Sequence, residues 1–520
     1  MIDRRTLITA TAALAGVAAA SGAHSQSRPV AMTRHGPVRG AHTDGVAVFK
    51  GVRYGQDTGP RRFQPPIAPE AWADPVDALD YGPACPQRGD EPNQSEDCLF
   101  LNVWTPAIDS ARRPVMVYIH GGAYSTGSGS SPLYDGTRLA RDEDVVVVTL
   151  NHRLGPLGYA YLARLPGQPF PDSGAAGQLD IILALEWVRD SIAAFGGDPS
   201  RIMVFGQSGG GAKIASLMAT PTAAGLFHAA ATMSGQQVTF SGPINATRRA
   251  EAWLEALGLT PDRAPEAATL PVEQLLAANP RDPVLGYGSL YFGPVLDGRT
   301  HPRHPFYPDA PDQSAGIPMI IGNTHDETRA FNAADASLWS LTWEDLPARL
   351  SPDQLRIDVA PEAVIAEYRR LYPAYTPTEV FFAATTAGRS WRAAIIEAEE
   401  RARQGSPAFV YQLDWASSHD NGRLGAPHTS DIRLVFKTLE EGPWPAVGPG
   451  ATEVSNALSA AFAALARTGS PNHAGLPAWE PYDLARRQTM IIDHPPRMED
   501  DPRGAERRFF AAIPYTQPGT

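Results

Sequence analysis

The sequence predicts an α/β fold, with a large, mostly parallel central sheet flanked by helices. Three observations carry that expectation. Short apolar, β-branched runs recur at Val115 to Ile119, Val145 to Leu150, Ile202 to Phe205, Ile317 to Ile321 and Ala408 to Leu413, and runs of this kind belong to strands covered on both faces. Helical patterns such as Ile181 to Val188 and Gly211 to Met218 lie between them, and strands that alternate with helices imply parallel pairing. Several of the apolar runs end in Gly-rich or polar loops, the position where open α/β sheets carry their sites.

The whole-chain numbers set the outer bounds. In 520 residues there are 47 Gly and 49 Pro, with 43% apolar and 19% charged residues, which excludes a disordered, collagen-like or coiled-coil chain. Lys plus Arg number 44 against 56 Asp plus Glu, a formal charge of −12 that repels a phosphate backbone and argues against nucleic acid as a partner. No repeat, linker or long charge run divides the chain.

Taken in order, the N-terminus carries Arg4-Arg5, an apolar Ala-rich stretch from Ala10 to Ala20, and small residues around Ser21 to Gln26. This is the pattern of a Tat-type export signal over residues 1–25, cleaved near Ala23 to Ser25. The apolar run falls short of the roughly 20 residues a bilayer needs. The expectation is a periplasmic or secreted protein with no stable membrane anchor after cleavage, folded as one domain from residue 26 to 520. Cys85 and Cys98 are the two cysteines; in an oxidising compartment they read as a disulfide, contributing about 3 kcal/mol by closing a short loop.

The run Val115 to Ile119 leads into His120-Gly121-Gly122-Ala123-Tyr124, a Gly-rich turn whose amides can converge on an oxygen. Ile202 to Phe205 leads into Gly206-Gln207-Ser208-Gly209-Gly210, a G-x-S-x-G followed by a helical pattern. The strand before and the helix after carry this reading, because a serine on such a turn is held in strained geometry that exposes its Oγ. A phosphate-binding loop is the competing reading of the glycines. It fails because Ala212 separates Gly211 from Lys213 and Ile214 supplies no hydroxyl for a metal.

Serine needs a general base, an orienting acid and an oxyanion hole. On this kind of sheet the chain order is Ser, then Asp or Glu, then His. After Ile317 to Ile321 come His325-Asp326-Glu327, and after Ala408 to Leu413 come His428-Thr429-Ser430-Asp431. Asp326 and Glu327 are both candidate acids. His120 and His152 sit at strand ends but do not fit the order. The Ala-, Glu- and Arg-rich stretches 243–279 and 333–404 read as helical insertions that wall or cover a pocket. No H-E-x-x-H and no Cys-based metal pattern is present, so neither cofactor nor metal is implied.

With these residues in view, the chain resembles the type-B carboxylesterase family, the cholinesterase-like branch of the α/β-hydrolase fold. The resemblance runs through Arg62-Phe63-Gln64-Pro65-Pro66, Ser95-Glu96-Asp97-Cys98-Leu99-Phe100-Leu101-Asn102-Val103, Asn151-His152-Arg153-Leu154-Gly155, Phe195-Gly196-Gly197-Asp198-Pro199 and Gly293-Pro294-Val295-Leu296-Asp297-Gly298. It implies an α/β-hydrolase fold and a serine hydrolase acting on a small-molecule carboxylic ester through an acyl-enzyme. By the same resemblance the nucleophile is Ser208, the base His428 and the acid Glu327, and the oxyanion donors are the amides of Gly122, Ala123 and Gly209. It further implies the Cys85–Cys98 disulfide, an Arg62–Glu96 salt bridge and a buried Ser234 near the triad. Three departures stand out: Gln207 and Gly209 flank the serine where the family reads G-E-S-A-G, Ala123 replaces the third glycine of H-G-G-G, and Arg53 lies in a segment usually reading Gly-Ile-Pro-Tyr-Ala. Amide, carbamate or lactone hydrolysis by the same triad, and a non-catalytic binding module, are the alternatives.

Overall fold

The computed structural model describes residues 28–515; the expected export signal and its cleavage position lie outside them. Among the described residues there are fourteen strands: β1 (Val30–Met32), β2 (Pro37–Arg39), β3 (Ala41–Thr43), β4 (Val46–Arg53), β5 (Val76–Asp77), β6 (Phe100–Thr105), β7 (Arg113–Ile119), β8 (Val146–Leu150), β9 (Gly197–Gln207), β10 (Ala229–Met233), β11 (Met319–Thr324), β12 (Ala408–Leu413), β13 (Gln488–Ile492) and β14 (Arg497–Asp500). β1, β2 and β5 make a small separate sheet. The other eleven form one sheet in the order β14-β13-β12-β11-β10-β9-β7-β8-β6-β4-β3. Neighbours from β8 through β13 pair parallel, and antiparallel strands close both edges.

Each central strand is apolar on both faces because both faces are covered. Along β7, Val115, Val117 and Ile119 face one core while Met116 and Tyr118 face the other, all fully buried. The first core receives Ile181, Leu185 and Val188 of the helix Ala176–Ser191 and Ile214 and Leu217 of the helix Gly209–Met218. The second receives Leu458, Phe462 and Leu465 of the helix Ala451–Thr468. The five strands expected from apolar runs are present. β10 escaped notice because its sequence, Ala-Ala-Ala-Thr-Met, lacks the β-branched signature; its place between β9 and β11 makes it a strand.

The two Ala-, Glu- and Arg-rich stretches are helical, as expected. The second carries its own apolar cluster, including Leu346, Val364, Tyr368, Phe381 and Trp391, while Ala393, Ala394 and Ala398 of its last helix, Arg392–Arg403, join the first core. No described helix is long and apolar enough to cross a membrane.

The expected disulfide is not formed: Cys85 and Cys98 are free, buried thiols. Their polar capacity is met without it. The Cys85 Sγ accepts the Leu154 N–H at 3.2 Å and its thiol reaches the Pro86 carbonyl at 3.6 Å. The hydrogen bond with Cys85, together with burial, pushes the Cys98 thiol well up.

Candidate active site

Parallel register brings the site together. Ile119 pairs with Gly206, Gln207 with Met233, Met233 with Gly322, and Thr324 with Leu413. The carboxyl ends of β7, β9, β10, β11 and β12 therefore share one rim. His120 to Tyr124, Ser208, Ser234, Glu327 and His428 all lie on loops leaving that rim.

Ser208 joins β9 to the helix Gly209–Met218 with φ 57° and ψ −129°. Such a backbone costs a non-glycine residue about 1–3 kcal/mol and persists only where the surroundings enforce it. Here they do. A Cβ on Gly235 would lie 1.6 Å from the Ser208 carbonyl oxygen and one on Gly210 would lie 1.9 Å from that of Ile119, while the Ser208 N–H donates to the Met233 carbonyl at 2.8 Å.

Glu327 opens the short helix after β11 and is fully buried. Its Oε1 accepts the Thr324 N–H at 3.1 Å and the Asn323 amide at 3.3 Å, and its Oε2 meets Nδ1 of His428. Burial pushes this carboxyl up, but the charge and hydrogen bond of His428 outweigh it and leave the pKa lowered. Asp326, the other candidate acid, turns away to accept the Ala426 N–H at 3.0 Å and pair with Arg329 at 3.0 Å. It thereby holds the loop that carries His428. Asp431 is buried against the Tyr411 hydroxyl at 2.7 Å, and burial pushes it up to about 6.

No hydrogen bond joins Ser208 Oγ to His428 among the described residues. The side-chain nitrogen of Gln207 lies 3.1 Å from Nε2 and 3.2 Å from Nδ1 of His428, so the imidazole stands within reach of the residue next to the serine, and such contacts commonly tighten only with substrate bound. Gln207 is neutral at the position where the resembling family has Glu, so this side chain brings no carboxylate to the imidazole.

Opposite stands the Gly-rich turn after β7, with Gly122 at φ 81° and Ala123 at φ 52°. Among the described residues, no turn, loop or side-chain acceptor takes the N–H of Gly122, Ala123 or Gly209. Two departures of this chain answer one another here. A Cβ on Gly209 would lie 2.1 Å from the Ala123 carbonyl oxygen and 2.5 Å from its Cα, so the turn can lie this close only with glycine at 209. A residue missed from sequence ties the turn down: Lys213 is fully buried, and its Nζ donates to the Ala123 carbonyl at 2.8 Å and the His120 carbonyl at 3.1 Å. Burial alone lowers its pKa to about 7. It is one of three lysines in the chain and sits in an otherwise apolar helix, a signal that could have found it. His120 and His152 stack at 4.7 Å between centroids, both buried and held neutral by desolvation.

Ser208 opens on a cavity of about 320 Å³ whose walls include Ala123, Gly209, Tyr124, Tyr291, Arg356 and Arg389. The two arginines come from the second helical stretch, as the insertion reading expected, although no pattern singled them out. Arg62 and Glu96 form the expected ion pair, with Nε to Oε2 at 2.6 Å. Arg53 is engaged by Asp97 through two bonds of 2.6 and 2.7 Å. No cluster of His, Cys, Asp and Glu able to hold a metal occurs among the described residues.

The class this fold defines is the α/β-hydrolases. Within it, residues 27–510 match the model of the Carboxylesterase family, and the chain belongs to that family, an enzyme that hydrolyses carboxylic esters. It is 34% identical over 499 residues to the para-nitrobenzyl esterase of Bacillus subtilis (strain 168), covering 92% of this chain and 98% of that one. It is 33% identical over 490 residues to the phenmedipham hydrolase of Pseudarthrobacter oxydans, covering 90% and 95%. Among solved structures, a carboxylesterase of Geobacillus stearothermophilus superposes with a TM-score of 0.82 at 36% identity, covering 94% of this chain and all of that one.

Proposed function

We propose that this carboxylesterase works through Ser208, His428 and Glu327, with the amides of Gly122, Ala123 and Gly209 as the oxyanion hole. The observation that carries the reading is the buried Glu327–His428 contact on the same sheet rim as the strained Ser208. His428 takes the Ser208 proton as Oγ bonds to the ester carbonyl carbon, and Glu327 stabilises the imidazolium. The tetrahedral oxyanion collapses, the C–O bond to the alcohol breaks, and the alcohol leaves with the proton from His428. Water then repeats the cycle on the acyl-enzyme and releases the carboxylic acid.

The test is hydrolysis of p-nitrophenyl acetate and butyrate by wild type, Ser208→Ala and His428→Ala, with mass-spectrometric mapping of an organophosphonate label. Loss of several orders of magnitude in both variants, with label on Ser208, is the expected result. Near-normal turnover in either variant refutes the assignment. We further propose that residues 1–25 direct Tat export and that the protein folds as one catalytic domain from residue 26, acting in the periplasm or outside the cell on esters that arrive from the environment. The twin-arginine pattern supports this, and recovery of the mature protein in the cytosolic fraction would overturn it.

A further inference from the structure

The cavity at Ser208 is cationic in a protein that is acidic overall. Two arginines, Arg356 and Arg389, line it, and no Asp or Glu does, although the chain as a whole carries −12. The local sign is therefore a property of the cavity and not of the composition.

The backbone brings the two cations side by side. Arg389 lies on a π-helical turn, Ala387–Trp391, set between the helices Pro377–Thr386 and Arg392–Arg403; such turns are frequent at functional sites. Gly388 on that turn has no room for a side chain, because a Cβ there would stand 2.1 Å from the Leu355 carbonyl oxygen. This close approach places Arg356, at φ 59° just after the short helix Pro352–Leu355, beside Arg389. The neighbouring Ser390 accepts the Asn323 amide at 2.5 Å and lies 3.5 Å from Glu327 Oε1, which ties the π-turn to the acid of the site.

The charges on the two arginines are not balanced. Arg356 pairs with Asp353 at 3.1 Å. Arg389 makes no ion pair with any described carboxylate, and its guanidinium instead stands over the Phe331 ring at 4.8 Å, a ring that itself packs on His428 at 4.7 Å. Burial and the charge of Arg356 pull the Arg389 pKa down to about 10, with Asp353, Glu327 and Tyr287 acting the other way. A half-buried guanidinium beside a second one, with a carboxylate paired only to the second, is an incomplete site for an anion, and a planar carboxylate is the group its fork matches.

Resting on the serine-hydrolase reading above, we propose that this enzyme selects esters whose acyl part ends in a free carboxylate, the half-esters of dicarboxylic acids, with Arg389 as the ionic anchor and Arg356 as its support. The carboxylate completes the cationic pair while the ester carbonyl sits between Ser208 and the Ala123 turn.

The experiment compares kcat/KM for 4-nitrophenyl hemiadipate with that for 4-nitrophenyl hexanoate, an uncharged ester of the same chain length, in wild type, Arg389→Leu, Arg389→Lys and Arg356→Leu. Wild type is expected to favour the hemiadipate at least tenfold. That ratio is expected to fall at least tenfold in Arg389→Leu, mainly through KM, and to fall less in Arg389→Lys and Arg356→Leu. A wild-type preference for hexanoate, or a ratio unchanged in Arg389→Leu, overturns the proposal while leaving the Ser208 reading intact. Turnover of neither ester by wild type overturns both. A second measurement needs no variant: adipate should inhibit the wild type competitively at concentrations where neutral adipamide does not, and equal inhibition by the two overturns the proposal.

Discussion

Placing alanine at 209, the residue the family pattern prefers beside the nucleophile, is expected to damage this enzyme. The new Cβ would meet the Ala123 carbonyl oxygen at 2.1 Å, where ordinary contact begins at 3.4 Å. The turn must therefore retreat by about 1.3 Å, which is 3.4 less 2.1. Retreat is resisted, because Lys213 holds that same oxygen at 2.8 Å and is itself fully buried and bonded to the His120 carbonyl at 3.1 Å. A displacement of about 1 Å at a reacting centre costs on the order of 100-fold, and loss of one oxyanion donor costs about 3 kcal/mol in the transition state. Gly209→Ala is thus expected to lower kcat for p-nitrophenyl butyrate about 100-fold, with an unfolding midpoint near that of wild type. Adding Ala123→Gly frees position 123 from its left-handed φ of 52° and lets the carbonyl swing aside, so the double variant should recover at least tenfold. The assay is steady-state hydrolysis across the four members of the cycle. A Gly209→Ala enzyme within threefold of wild type, or strictly additive effects in the cycle, refutes the reasoning.

Three further outcomes follow from the same geometry. Ser208→Gly removes the backbone strain at the nucleophile and should raise stability by about 1 kcal/mol in urea unfolding, together with loss of turnover; an unchanged or lower midpoint contradicts it. Lys213 has a folded pKa of about 7 against about 10.4 unfolded, so between those values the unfolded chain binds the extra proton and stability rises with pH by about 1.4 kcal/mol per unit. Below pH 7 both states are protonated and the full destabilisation is present; Lys213→Met should abolish this pH dependence, and parallel stability–pH curves for variant and wild type would refute it. Arg153 and Asp180 form a fully buried pair with bonds of 2.6 and 2.8 Å, so Asp180→Ala strands a guanidinium and should cost about 3–5 kcal/mol, read as a shift in the chemical-denaturation midpoint.

By itself, the sequence determined the five apolar strands and the strand–serine–helix elbow, and its resemblance to a known family named the residues expected to act at the rim. This follows from local physics: β-branched runs covered on both faces can be little else, and a G-x-S-x-G between a strand and a helix has few other uses. Chain order alone left Asp326 and Glu327 as alternatives, which the resemblance resolved toward Glu327; the tertiary structure supplies the physical reason, because adjacent residues point apart, and the Glu327 carboxyl meets the imidazole of His428 while that of Asp326 is taken by Arg329 and the Ala426 amide. The same holds for β10, whose alanines are strand only because β9 and β11 lie on either side. Two sequence departures, Ala123 and Gly209, look independent in the chain 86 residues apart and become one contact in space. The cationic cavity was invisible for the same reason: Arg356 and Arg389 lie 33 residues apart in an insertion without periodic signature, and only the approach of the Leu355 carbonyl to Gly388 sets them together. Local propensity is written residue by residue, whereas charge balance and close approach belong to groups that long-range packing alone brings into contact.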